Sequence, residues 1–104
     1  MRQLRVSGLA RRSLLDISRF IAQAAGSRSV AERFVGQLRS KCEQLASLPG
    51  LLGRLRPDLG EDIRSLHFRN YVIVFRYTAT TLDIIDIVHA HRDTDAYRGD
   101  DGPR

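Results

Sequence analysis

The spacing of apolar residues changes once along this chain, and that change limits the folds open to it. From Ala10 the apolar positions Leu14, Ile17, Ile21 and Ala24 recur at steps of four and three. That spacing places them on one stripe of a helix over residues 8–25, with Arg12, Asp16, Arg19 and Gln23 on another side. Ser7 precedes it as an N-cap whose hydroxyl can accept from an orphan N–H, and Gly26 follows it as a C-terminal stop. A second stripe runs through Ala31, Phe34, Leu38, Cys42, Leu45 and Leu48. It opens on Ser29-Val30-Ala31-Glu32, which has the form of a capping box, and closes at Pro49-Gly50. The link between the helices is too short for anything but an antiparallel hairpin.

After an irregular glycine-rich connection over 50–62 the period becomes two. Strands are predicted over 63–68, 71–77 and 82–89, joined by turns at 69–70 and 78–81 that allow only antiparallel hairpins. Both later strands are apolar at nearly every position, so each has one face under the helices and the other only partly wet. The opening Gln3-Leu4-Arg5-Val6 adds a short first strand. The order is β-α-α-β-β-β: an α+β fold, with a helical hairpin packed on one face of a small antiparallel sheet. At 104 residues there is room for a single core. The domain is expected to span residues 1–93, followed by a charged tail over 94–104 that frays.

Charge narrows the partners. The chain carries a net +5, and every basic residue except Lys41 is an arginine. Guanidinium groups pair with carboxylates and phosphates, which points to an acidic protein or to nucleic acid. The arginines are spread along the sequence and aromatics make up only 7%, which disfavours a base-stacking platform. No third helix follows the hairpin in helix-turn-helix fashion, so direct nucleic-acid recognition is not expected. No apolar run is long enough to span a bilayer, and the N-terminal stretch lacks the apolar segment of a secretory signal. The lone Cys42 has no internal disulfide partner, which suits a reducing, cytoplasmic setting.

The densest chemistry is His89-Ala90-His91-Arg92-Asp93 at the end of the last strand. In an extended chain His89, His91 and Asp93 share one face. The same letters satisfy the H-x-H-x-D portion of the metallo-β-lactamase motif, but position 94 is Thr rather than the next His. Catalytic zinc needs about three protein ligands, and His67 is the only other histidine. Neither a metal nor a cofactor is therefore expected. Metal-free RNA cleavage would need a base, an acid and cations, for which Arg64, Arg76, His89, His91, Arg92 and Tyr97 are the available groups. Arg64 and Arg76 lie on neighbouring strands and could face the same way. The run Ile63–Tyr77 holds no acidic residue, so the base would be a histidine or Tyr97.

Several stretches together resemble the ParE branch of the RelE/ParE superfamily of bacterial toxin–antitoxin systems. They are the Ala10–Asp16–Ile17–Ile21 pattern of the first helix, "LASLPGLLGRLRPDL" before the sheet, "IRSLHFRNYVIVFRY" through it, and the closing "IVHAHRD". The resemblance covers residues 4–93. It implies a four-stranded antiparallel sheet with a helical hairpin, and a toxin neutralised by a cognate ParD-like antitoxin in a hetero-oligomer. In the ParE branch the target is DNA gyrase, blocked by binding; the RelE branch cuts messenger RNA on the ribosome. The fold serves both mechanisms, so it does not choose between them. The residues favour a non-catalytic binder. A partly open sheet face with Arg64 and Arg76 suits a partner that alternates acidic and apolar residues. The expected contacts are the outer surface of the hairpin, Arg64, Arg76, and the segment His89, His91, Arg92 and Tyr97. A structural role is also open to Arg92 and Asp93, as partners of the loop 54–62.

Overall fold

The computed structural model describes residues 1–91. The elements are β1 (Gln3–Val6), α1 (Gly8–Ala25), α2 (Arg28–Ser47), β2 (Arg54–Leu55), β3 (Arg64–Phe68), β4 (Tyr71–Tyr77) and β5 (Thr81–His89). The α+β order and the helical hairpin are those expected. The sheet is larger: five strands in the order β1-β5-β4-β3-β2, with β1 parallel to β5 and the remaining pairs antiparallel. The stretch expected to be irregular over 50–62 contributes the fifth strand, because Arg54 and Leu55 pair with Ser65 and Arg64. The tail expected over 94–104 lies outside the described residues.

Both helices begin on serine. Ser7 accepts from the Ala10 amide at 2.9 Å and donates to the Ile85 carbonyl at 2.6 Å, so one hydroxyl caps α1 and ties it to the central sheet. The α1 terminus is Gly26 at φ 65°, a left-handed conformation that glycine adopts without a Cβ clash. The cap of α2 differs from the sequence expectation. Ser27, not Ser29, occupies the cap and accepts from the Val30 amide at 3.3 Å, while Ser29 bonds the Ser27 hydroxyl at 3.0 Å. The helix thus starts two residues earlier than the capping-box pattern suggested. Ser27 wins because it is already extended as the chain leaves Gly26.

The main core lies between the hairpin and the sheet. Leu38, Cys42 and Leu45 of α2 and Ala10 and Ile17 of α1 meet Ile73 and Phe75 of β4 and Leu82, Ile84 and Ile87 of β5. Phe75 is fully buried at its centre; removing such a side chain costs about 3–5 kcal/mol. Burial and Glu43 push the Cys42 thiol up to about 11, so it stays protonated and inert at neutral pH. The other face of the sheet carries a smaller cluster, in which Ile63, Val72 and Val74 pack with Ile85, Val88 and Ala90. A β-bulge explains how β5 serves both. Val74 faces Asp86 while Phe75 faces Ile84, leaving Ile85 as an extra residue. The parity of the strand flips there. Ile84 and Ile87, three residues apart, both reach the main core, and Ile85 and Val88 both reach the smaller one.

Candidate functional site

Arg64 and Arg76 do not share a face, contrary to the arrangement considered from sequence. The two-residue turn at Arg69-Asn70 sets Phe68 opposite Tyr71 and hence Arg64 opposite Phe75. Phe75 belongs to the helix-side core, and Arg76, the next residue, points to the other side. The register was readable from the turn alone, had the pairing been counted back from it. Arg64 is half-buried, and its guanidinium donates to the carbonyls of Leu52 and Gly53 at 3.4 and 3.3 Å. It fastens the chain before β2 to the sheet. That chain runs close: a Cβ at Gly53, whose φ is +76°, would fall 2.7 Å from the Phe75 ring.

Arg76 is exposed. It lines a shallow basin of about 250 Å³ with Arg5, Ser7, Asp83 and Ile85, where the Arg5 guanidinium stands 3.9 Å from Asp83. Ion pairs this exposed contribute little to stability, so Asp83 tempers the positive charge here more than it fixes the fold.

His89 ends β5 opposite Tyr71. Its ring meets the Tyr71 ring edge-on at 5.4 Å, and its Nδ1 accepts from the His91 amide at 3.1 Å. Burial raises the Tyr71 hydroxyl above its ordinary range, so it remains a neutral donor. Together with Ser13, Asp16, Phe20 and Val88 these residues line a groove of about 290 Å³ between α1 and the end of the sheet. Phe20 is 63% exposed at its rim, the most exposed aromatic of the described residues. Sequence reasoning passed over Phe20 because it falls outside the apolar stripe of α1. An aromatic off the stripe was itself the available signal.

Arg92, Asp93 and Tyr97 lie outside the described residues, so the expectations placed on them fall there too. Among the described residues no group of three or more His, Cys, Asp or Glu is placed to hold a metal ion. The groups considered for RNA cleavage are dispersed. Strand spacing sets Arg64 roughly 16 Å from His89, and Arg76 is on the opposite face from both.

The loop between β2 and β3 holds a residue that sequence reasoning missed. Arg56 is 2% exposed. Its Nε and Nη2 grip both oxygens of Asp58 at 3.0 and 2.8 Å, and Nη1 donates to Ser65 at 3.1 Å. The Arg56 hydrogen bonds hold the Asp58 carboxyl below the usual carboxylate range. Arg56 belongs to the 54–62 loop, and its pairing is made within that loop and with β3; the pairing considered from sequence, with Arg92 and Asp93, lies outside the described residues.

A helical hairpin on one face of a five-stranded sheet defines a small α+β protein. Its fold matches a chain of a solved structure described as the "Chromosomal ParDE TA system from P. aeruginosa", with a TM-score of 0.74 and 19% identity over 86% of this chain and 96% of that one. The sequence is more specific than the fold. Residues 4–94 match the model of the ParE toxin of the type II toxin–antitoxin system parDE, and the chain belongs to that family. No curated protein matches the sequence. Among the described residues no helix is long and apolar enough to cross a membrane.

Proposed function

We propose that this toxin acts in the cytoplasm by binding DNA gyrase, without chemistry of its own, and that a cognate antitoxin holds it inactive in a hetero-oligomer. The observation that carries the reading is the dispersal of its reactive groups. A phosphodiester-cleaving site needs acid, base and cation within hydrogen-bond reach of one phosphate. Here Arg64 is spent on loop carbonyls and His89 lies roughly 16 Å away. What remains suits contact with another macromolecule: an apolar groove under Phe20 at one rim and the basin around Arg76 at the other. The antitoxin seats an alternating acidic and apolar segment on these rims.

The deciding measurement is a gyrase supercoiling and cleavage assay with the purified chain, with and without the antitoxin. Linear plasmid should accumulate with the toxin alone and disappear when the antitoxin is added, while messenger RNA in translating extracts stays whole. Unchanged supercoiling together with transcripts cut at ribosome positions would overturn the reading in favour of a RelE-type endonuclease. In that case Arg76→Ala or His89→Ala should abolish the cleavage.

A further inference from the structure

The outer face of α2 carries a second charged surface, away from both rims. Arg33, Gln37, Ser40, Lys41 and Gln44 follow one another at helical spacing, and Arg69 closes the trough from the β3–β4 turn. The trough is open and has a volume of about 770 Å³. Its three cations are not paired with any carboxylate among the described residues; Lys41 donates only to Gln44, at 3.1 Å. Arg69 is held in place: its φ is 56°, and its guanidinium stacks over the Phe34 and Phe68 rings at 5.8 and 5.5 Å. The nearest acids on the helix, Glu32 and Glu43, lie about 100° round from the stripe.

We propose that this trough takes the phosphodiester backbone of a nucleic-acid duplex. The lining is the residue set that contacts phosphate: arginine and lysine with amide and hydroxyl donors between them. An acidic protein would also need apolar anchors, and Phe68, half-buried, is the only large apolar residue in the lining. Single strands are read by stacking bases on exposed aromatics, and the trough offers none: Phe68 already carries Arg69 on its ring. From Arg33 to Lys41 the helix rises about 12 Å, enough to meet successive phosphates of one strand. The contact is independent of sequence and of the gyrase reading. The even spread of arginines along the chain concealed it, since the fold brings Arg69 beside Lys41 and Arg33, 28 and 36 residues earlier.

The test is fluorescence anisotropy of the full chain with a labelled mixed-sequence DNA duplex between 50 and 200 mM KCl. Three phosphate contacts imply an affinity that falls about 40-fold over that range. The triple variant Arg33→Gln, Lys41→Gln, Arg69→Asn keeps helix propensity and tolerance of the left-handed turn. It should lose most of the binding and about 2–3 of the logarithmic salt slope, with an unchanged circular-dichroism melt. A control triple, Arg11→Gln, Arg12→Gln, Arg19→Gln, removes the same charge from α1 and should keep most of both. Equal losses in the two triples would reduce the effect to net charge and overturn the proposal. So would single-stranded RNA bound as tightly as the duplex, or binding to polyglutamate in place of DNA.

Discussion

At the scale of single residues, the Arg56–Asp58 pair is the strongest local commitment in the described chain. A guanidinium 2% exposed needs its charge answered, and Asp58 answers with both oxygens, its side chain 14% exposed. Because the fold depresses the Asp58 pKa, the carboxylate stabilises the native state above its ordinary value of 3.8, and that contribution is lost as pH falls through the lowered value. Asp58→Asn should lower the unfolding free energy at neutral pH by about 2 kcal/mol, the worth of hydrogen bonds to a charged group. Urea titrations should show the difference from the parent intact at about pH 5 and closing in the acid range below 3.8. A difference that ignores pH would assign the effect to packing. None of this was legible in the sequence. "GRLRPDLGED" reads as a polar loop, and no periodicity marks which of its arginines turns inward.

The elements themselves were legible where a pattern repeats, and less so where one residue decides. The two helices and the three later strands follow from the change in period. The capping of α2 turns on a choice between two serines. The capping-box pattern selects Ser29, whereas the backbone bend at Gly26 presents Ser27. Ser27→Ala should therefore cost about 1 kcal/mol in thermal or chemical unfolding, and Ser29→Ala only a few tenths; the reverse ranking would restore the sequence reading. Two features of the sheet had no local signal. The pairing of β1 with β5 joins residues 78 apart, Gln3 to Thr81 among them, and four residues of alternating exposure do not name a partner. The bulge at Ile85 was hidden by its own consequence. A run as largely apolar as this one reads as a strand buried on both sides, whether or not its parity flips midway.

For the whole molecule, apolar surface left in water is the feature that ties fold to partner. Leu9, Leu15, Phe20, Leu51 and Leu55 are each more than half exposed, spread over the helical hairpin and the β2 edge. The sheet has two edges, β1 and the two-residue β2, and an unpaired edge is a template for another strand. A partner that covers these surfaces binds the folded chain and not the unfolded one, so it must raise the melting temperature by mass action. At a free antitoxin concentration 100 times its dissociation constant the gain is about 2.7 kcal/mol, which for a domain of this size is a rise of about 10–20 °C. Phe20→Ser should leave the melting temperature of the isolated toxin nearly unchanged, because that side chain is already 63% exposed. The same change should shrink the rise on adding antitoxin, because the groove it borders loses its apolar rim. Differential scanning calorimetry of parent and variant, each with and without antitoxin, separates the two effects. An undiminished rise in the variant would place the antitoxin elsewhere on the surface.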